Sequence, residues 1–291
     1  MIKLTFLFFL VAIFHAKSQM ILNQKGQAFS DAPFFKSEFI ASNNIKSFEG
    51  KISYKNSGDI IRETKDVMRF EFDEKGRLKR ILETQKQHAD TLFSYFEYDE
   101  NDNLTCFRKS QSGGLSAFYY VYQDNDLIKM EQRKDIMDAQ GNLQKSILVN
   151  VEKYEYKTVE NTRIKVFLNS YDLPYMEEFE TKNELGYRTS IIQKLKMADA
   201  SQTVRFGYDQ KGLMNEMSTY YNKSENAQKR RTFKYDDFGN VIERKEYQGE
   251  VCKEDFQIIY DPKTDYLSSI IVLNTKDDQM KIVRFTEYAF Y

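Results

Sequence analysis

Histidine, cysteine, proline and tryptophan are scarce in this sequence. Its 291 residues include two histidines, two cysteines, three prolines and no tryptophan. So little histidine leaves no material for a Ser-His-Asp triad or a histidine-bound metal ion. The 44 acidic residues are too numerous for any one pair to be singled out as a glycosidase pair. We therefore expect a protein that is not an enzyme and holds no metal or cofactor.

The charges are nearly balanced, with 43 Lys and Arg against 44 Asp and Glu, and no block of one sign stands out. Nucleic acid is therefore not an expected partner. Phenylalanine and tyrosine supply an aromatic fraction of 15%. A chain rich in flat rings and poor in proline favours β-strands.

The first residues are typical of a secretory signal peptide. Lys3 provides a positive charge, residues 4–14 form a short apolar run, and Ala16 and Ser18 occupy the small-residue positions of a cleavage site. We expect cleavage after Ser18; the alternative is a membrane anchor. No cysteine follows the apolar run, so a lipid anchor is not expected. The mature protein should be exported and soluble, in the periplasm or outside the cell, without a membrane span.

An aromatic-Asp-x-x-Gly motif recurs along the chain. Residues 233–241 read Phe-Lys-Tyr-Asp-Asp-Phe-Gly-Asn-Val, and Asp209 and Asp236 are 27 residues apart. Asp73 and Asp99 are 26 residues apart. The turn residues that we assign to this motif are Asp73 with Gly76, Asp99, Asp138 with Gly141, Asn183 with Gly186, Asp209 with Gly212, and Asp236 with Gly239.

Each copy of the motif predicts a β-hairpin. Aromatic residues two positions apart face one side of a strand, Asp bonds the backbone amides of the turn, and Gly takes the left-handed position that closes it. Two strands per period over residues 51–291 predict about 16–19 strands. The expected fold is all-β, a large curved antiparallel meander sheet of repeated hairpins. Residues 135–165 break the period and are expected to form a longer hairpin or an insertion.

This pattern resembles the YD repeats of the Rhs family and its teneurin relatives over roughly residues 52–267. In that family, repeats spiral into a β-sheet shell that encloses a cargo, often a toxin. With about eight or nine units, this chain is expected to be a short exported member without a toxin domain, too short for a closed shell. The resemblance therefore implies the sheet and not the cargo role.

The segment before the repeats follows a different pattern. Asp31 as an N-cap and Pro33 in the first turn predict a short amphipathic helix over residues 32–42 that covers one end of the sheet. The chain then divides into a signal peptide at residues 1–18, an N-terminal segment at residues 19–50 and a repeat domain at residues 51–291.

Three further features have both a functional and a simpler structural interpretation. Residues 99–103 superficially resemble a calcium loop, but Ser110 stands where that loop needs a carboxylate. Cys106 and Cys252 could form a disulfide in an oxidising compartment, or could be two small strand residues. Rows of Tyr and Phe could bind sugar rings, or could form an aromatic ladder within the sheet.

Three functions are therefore open. We favour a binding or scaffold module for a glycan or protein partner in the cell envelope or exterior. The alternatives are a carrier or chaperone, whose concave apolar sheet face receives a lipid or client chain, and a structural shell fragment related to Rhs toxins.

Overall fold

The computed structural model describes residues 19–85, 90–111, 114–138, 142–160 and 162–291. The expected signal peptide, His88 and Gly141 lie outside these residues. One helix, α1, spans Ser37–Ser42. The strands are β1 Ile45–Asn56, β2 Arg62–Phe72, β3 Leu78–Gln85, β4 Asp90–Tyr98, β5 Leu104–Gln111, β6 Gly114–Gln123, β7 Asp126–Met137, β8 Leu143–Val159, β9 Thr162–Leu168, β10 Pro174–Lys182, β11 Arg188–Leu195, β12 Ser201–Tyr208, β13 Met214–Tyr221, β14 Lys229–Tyr235, β15 Val241–Gln248, β16 Val251–Tyr260, β17 Leu267–Asn274 and β18 Gln279–Phe290.

The 18 strands form a closed antiparallel barrel. Each strand pairs with the next one along the chain, and β18 pairs with β1 from Ile45 opposite Phe290 to Asn56 opposite Gln279. The prediction of an all-β chain is confirmed. The prediction of a curved meander sheet too short for a closed shell is wrong, because β1 and β18 meet and leave no free edge among the described strands.

A repeated bulge explains why the sheet curls until it closes. In β12 and β13 the register shifts between Gly207 and Tyr208, which lies opposite Met214. The same shift precedes Tyr98 in β4 and Tyr235 in β14. A bulge bends its strand and increases the local twist. Because the bulge recurs at the same place in several hairpins, the bends add up along the sheet. The number of repeat units alone does not reveal this curvature.

The barrel has two distinct ends. We call the end that carries the turns at residues 73–77, 99–103, 183–187, 209–213 and 236–240 the repeat end. The other is the opposite end. The β7–β8 hairpin, where the period breaks, is long, and β8 alone has 17 residues. Its turn residue Asp138 lies at the opposite end, so this copy of the motif is not in phase with the others.

The helix is shorter than expected. α1 begins after Lys36, and Phe34 and Phe35 lie in an extended stretch instead of the predicted helix over residues 32–42. The Leu22 N–H donates to the Phe34 carbonyl and Phe35 bridges Ile21. Pairing with this preceding stretch competes with helix formation and directs both phenylalanine rings into the barrel.

The main hydrophobic core lies inside the repeat end. Phe48, Phe70 and Phe72 from the barrel wall pack against Phe34 and Phe35 from the N-terminal segment. The side chains that alternate with them along each strand face outward. Within the described residues, no helix is long and apolar enough to cross a membrane.

Candidate functional site

The turns at the repeat end share one hydrogen-bonding pattern. The Asp236 carboxylate accepts the backbone N–H groups of Phe238 and Asn240, and Asp99 and Asp209 accept the corresponding pairs. A left-handed residue follows three positions after the Asp or Asn: Gly76 at φ 76°, Gly186 at 80°, Gly212 at 79°, Gly239 at 84°, and Asp102 at 63° in the glycine position of its copy. These residues shape turns, and three of them, Gly186, Gly212 and Gly239, also line the cavity described below.

Two turns of the same kind lie at the opposite end. Asp138 accepts the N–H of Asn142 there. Asn169, which the sequence motif did not include, accepts the N–H groups of Tyr171 and Leu173. This hydrogen-bonded turn therefore occurs at both ends of the barrel and does not distinguish one end from the other.

Tyrosines just before the turns connect successive hairpins. The Tyr260 hydroxyl donates to the Val241 carbonyl at 3.0 Å, at the start of the preceding return strand. The same bond runs from Tyr98 to Leu78, Tyr122 to Leu104, Tyr156 to Leu127, Tyr208 to Arg188, Tyr235 to Met214 and Tyr288 to Leu267. Burial raises the pKa of all seven hydroxyls, and raises that of Tyr235 to about 12.

Residues 19–44, which we call the plug, fill part of the lumen at the repeat end. Met20, Ile21 and Ile40 are almost completely buried, and Gly76 closely approaches the α1 backbone. The Asn23 side chain donates to the Tyr235 hydroxyl at 2.9 Å. The N-terminal segment was expected to cover the end of the sheet; it instead enters the barrel.

Arg244 on β15 fixes the tip of the plug. Its guanidinium donates to the carbonyls of Ala28 and Phe29 at 2.9 Å each and to the Glu246 carboxylate at 2.6 Å. The same group lies over the Phe256 ring, 4.0 Å from the centroid. Burial lowers the pKa of this arginine below its ordinary value. A buried cation that bonds two backbone carbonyls holds the plug in one position.

The candidate site is a cavity between the plug and the wall formed by β10 to β15. Its volume is about 530 Å³. The lining residues are Gln19, Asn23, Gln24, Lys25, Glu180, Lys182, Gly186, Tyr187, Arg188, Tyr208, Gly212, Leu213, Met214, Tyr235 and Gly239. The cavity therefore combines aromatic rings, amides, cations and one carboxylate.

Two stacked tyrosines form one side of this cavity. The rings of Tyr187 and Tyr208 are 5.0 Å apart with an interplanar angle of 25°. Tyr187 follows Gly186 in its turn and is 37% exposed, so it presents a ring to solvent. The Tyr187 hydroxyl lies beside Gly212, where a Cβ would be 2.3 Å from it. The missing side chain at Gly212 leaves room for this ring.

The charged groups of the cavity are partly paired. Arg188 and Glu180 form an ion pair at 2.6 Å. Among the described residues that line the cavity, Glu180 is the one carboxylate, and Lys25 and Lys182 add positive charge at the rim. The site can therefore donate hydrogen bonds from several cations and amides, and it lacks a second lining acid.

The lumen wall beyond the plug is also polar. On β8 to β10, Glu152 accepts hydrogen bonds from the hydroxyls of Tyr154 and Tyr175. Lys165 lies 3.7 Å from the Tyr154 ring centroid, and burial lowers the pKa of its ammonium group. Lys281 and Glu83 form a further lumenal pair at 2.5 Å. A wall of this kind is suited to polar contents.

The calcium and disulfide hypotheses gain no support from the geometry. The Asp102 carboxylate points toward cations, with Arg77 at 2.7 Å and Lys75 at 3.3 Å. Cys106 and Cys252 are both free thiols. Within the part of the chain that the structure describes, no three potential metal-ligating side chains cluster.

Comparison with known proteins gives only distant similarities. No protein-family model and no curated protein matches the chain. A porin-like protein from Bacteroides uniformis shares 10% identity over 84% of this chain and 98% of its own, with a TM-score of 0.38. The Tc holotoxin pore of Photorhabdus luminescens shares 8% identity over 80% of this chain and 16% of that one, with a TM-score of 0.28. A DUF1329 family protein from Desulfovibrio piger shares 7% identity over 87% of this chain and 89% of that one, with a TM-score of 0.27. With scores this low, none of these similarities carries an argument, and the YD-repeat assignment remains a resemblance of sequence.

Sequence reasoning named Gly186, Gly212 and Gly239 as turn residues only, and it missed the other residues of the cavity. One signal was present: the residue after the left-handed turn position is Arg77, Asn103, Leu213 or Asn240 in four copies, and aromatic only at Tyr187. Glu180 and Arg188 gave no signal, because their pairing depends on the register of β10 and β11.

Proposed function

We propose that this protein is an exported, non-enzymatic module that binds a glycan in the cavity between the plug and the wall of β10 to β15. The observation that carries the proposal is the stacked pair of Tyr187 and Tyr208, exposed at a cavity rimmed by hydrogen-bonding side chains. It deepens the binding role that the sequence favoured and assigns it a position.

A sugar ring matches both features of the cavity. One face of a pyranose carries axial C–H groups that pack on an aromatic ring, while its hydroxyls need donors and acceptors at the edge. Tyr187 supplies the ring, and Asn23, Gln24, Lys25 and Arg188 lie along the edge. The volume of about 530 Å³ is in the range of small-ligand sites.

Binding without hydrolysis is supported by the charged groups of the cavity. Glycoside hydrolysis ordinarily needs two carboxyl groups on opposite sides of the scissile bond. Of the described lining residues, Glu180 alone carries a carboxylate, and Arg188 already pairs with it. The arrangement favours holding a sugar over cleaving it.

The outer wall supports an exported protein surrounded by water. Outward-facing side chains in mid-strand form ion pairs, such as Glu49 with Arg69 at 2.6 Å and Glu71 with Arg80 at 2.5 Å. A wall facing lipid carries an apolar band instead. Together with the signal-peptide pattern, this favours the periplasm or the exterior as the location.

The carrier alternative has less support. The apolar part of the lumen is occupied by the plug, and the remaining wall carries Glu152, Lys165, Glu83 and Lys281. A lipid or an unfolded apolar chain would leave these charges without water.

A glycan panel tests the proposal. The mature protein should bind one or more oligosaccharides, and Tyr187→Ala should weaken that binding about fivefold or more, because the aromatic contact is worth about 1 kcal/mol or more. Titration calorimetry with the best ligand of the panel measures the difference.

The matched control is Tyr171→Ala. Tyr171 is an exposed tyrosine in a turn of the same type at the opposite end, so its loss should leave the affinity unchanged. The proposal fails if no oligosaccharide binds, or if the two variants weaken binding equally.

A further inference from the structure

We propose that a second cavity, at the opposite end of the barrel, binds the anionic group of a ligand: a carboxylate, sulfate or phosphate. The cavity has a volume of about 440 Å³. It is lined by Met217, Thr219, Lys229, Arg230, Arg231, Glu246, Tyr247, Gln248 and Lys253. We call it the cationic cavity.

The register of β13 to β16 brings these side chains together. Arg231 on β14 lies between Met217 on β13 and Glu246 on β15. In the next lumen-facing row, Lys229 lies between Thr219 and Gln248. Arg230 faces the other side of β14 beside Tyr247, so the cavity wraps around the end of the strand.

The charge of the cavity is strongly unbalanced. Four cations, Lys229, Arg230, Arg231 and Lys253, surround the single carboxylate of Glu246, which leaves a net charge of three positive units. That carboxylate is already shared between Arg231 at 2.7 Å and Arg244 at 2.6 Å. The positive charge of the cavity is therefore not neutralised from within.

Among the described residues, three of the four cations have no acidic partner. Within the described residues, no ion pair joins Lys229, Arg230 or Lys253 to a carboxylate, and Arg230 instead lies over the Tyr247 ring at 4.4 Å. Other arginines of the strands, such as Arg69 and Arg80, pair with neighbouring glutamates. Like charges gathered without partners repel each other, and a bound anion removes that cost.

The geometry of the cations suits an oxyanion. A guanidinium presents paired N–H donors that match the oxygens of carboxylate, sulfate or phosphate, and the flexible ammonium groups of Lys229 and Lys253 can close on the same anion. The stacked Tyr247 ring orients Arg230 and offers an apolar surface to the rest of the ligand.

The cationic cavity is separate from the proposed glycan site. That site lies at the repeat end and shares no lining residue with this one. Between the cationic cavity and the plug tip lies a further space, whose lining residues include Phe29, Asp31, Arg231 and Arg244. The two proposals therefore succeed or fail independently.

Titration of the mature protein with sulfate, phosphate and citrate tests the inference. At low ionic strength at least one of the three should bind saturably, and citrate against the two inorganic anions distinguishes carboxylate from sulfate or phosphate chemistry. The double variant Lys229→Gln/Lys253→Gln should weaken that binding at least tenfold and reduce its dependence on salt. Neither side chain is in the core and both add to the repulsion, so the melting temperature without ligand should not fall.

Lys223→Gln is the control. Lys223 is an exposed lysine at the same end, paired with Asp199 at 3.2 Å and outside the cavity. Its loss should leave the affinity unchanged. Absence of saturable binding by all three anions, or equal weakening by the control and the double variant, would overturn the inference.

Discussion

The tyrosine that precedes the turn aspartate in several copies of the motif, as at Tyr98, Tyr208 and Tyr235, connects one hairpin to the hairpin before it. Tyr235 donates to the Met214 carbonyl and also accepts the Asn23 amide of the plug. The motif therefore has two tasks: Asp and Gly make the turn, and Tyr joins turns to each other. The hydroxyl performs the second task only while it is protonated.

Alkaline pH should weaken the barrel through these hydroxyls. Burial raises the pKa of Tyr235 to about 12 from 10.0, so the folded state favours the neutral hydroxyl. Its contribution to stability is complete below the unfolded pKa of 10.0 and is lost as the pH rises toward 12. Denaturant unfolding between these two pH values should show a falling free energy, with tyrosinate absorbance rising in parallel.

The variant Tyr235→Phe should be less stable at neutral pH by about 1 kcal/mol, because it loses the hydroxyl bonds. As the pH rises from 10.0 to about 12, the free energy of unfolding of this variant should also fall less than that of the unmodified protein. An identical slope in both proteins would contradict the assignment of this titration to Tyr235.

A turn position can require glycine because of its positive φ or because another part of the chain lies too close for a side chain. Gly76 and Gly186 distinguish these two reasons. Both have positive φ, but a Cβ at Gly186 would meet no atom within 4 Å, whereas at Gly76 it would lie 2.1 Å from the Ser37 carbonyl oxygen of α1. Gly186→Ala should cost about 1 kcal/mol for backbone strain alone. Gly76→Ala should cost clearly more, since α1 must also move. Denaturant unfolding of both variants measures this, and equal losses would show that α1 does not dock on this turn.

At the residue level, the sequence predicts what is local. Asp236 and Gly239 belong to one five-residue turn, so their roles follow from spacing alone. The Tyr235 hydroxyl donates to a carbonyl 21 positions earlier in the chain. Tyr187 lines a cavity because the plug, which is distant in sequence, forms the other side of that cavity. Neither contact has a local signature.

At the level of elements, the plug is the unusual part. It has one short helix and one isolated bridge, and its position depends on the barrel wall. Phe35, Phe39 and Ile40 have the spacing of one longer amphipathic helix, yet Phe39 and Ile40 alone of these lie in α1, while Phe35 is buried in the lumen from an extended stretch. Amphipathic spacing over so few residues does not distinguish the two cases.

Arg244→Gln should release the plug tip. The change removes the cation that donates to the carbonyls of Ala28 and Phe29, and each charge-assisted bond is worth about 1.5–3 kcal/mol. Hydrogen exchange of the amides of residues 20–36 should accelerate, while the strands distant from the plug stay protected. Arg205→Gln is the matched control, since Arg205 lies outside the barrel over Tyr220. Similar exchange in both variants would mean that Arg244 does not hold the plug.

At the level of the whole molecule, closure is what the sequence did not reveal. The repeats correctly indicate antiparallel hairpins in sequence order, but closure requires the bulges to add up until β1 meets β18. The Tyr291 hydroxyl, just after β18, donates at 2.7 Å to the Phe72 carbonyl at the end of β2, and so links the end of the sheet to its beginning across this seam. No local pattern encodes a contact between residues 219 positions apart.

A pair of engineered cysteines tests the closure directly. Ser53 on β1 lies opposite Ile282 on β18, and cross-strand Cα atoms about 4.5–5.5 Å apart are within reach of a disulfide. In a Cys252→Ser background, Ser53→Cys with Ile282→Cys should form an intramolecular disulfide under mild oxidation, without a change in hydrodynamic radius. The control pairs Ser53→Cys with Ile271→Cys, because Ile271 lies opposite Ile282 on β17 and is therefore one strand too far, about 10 Å from Ser53. Mass spectrometry of peptides identifies each bond. In an open sheet β1 and β18 would be the two distant edges, so failure of the first pair to close, or equal closure of both pairs, would show that the barrel does not have this seam.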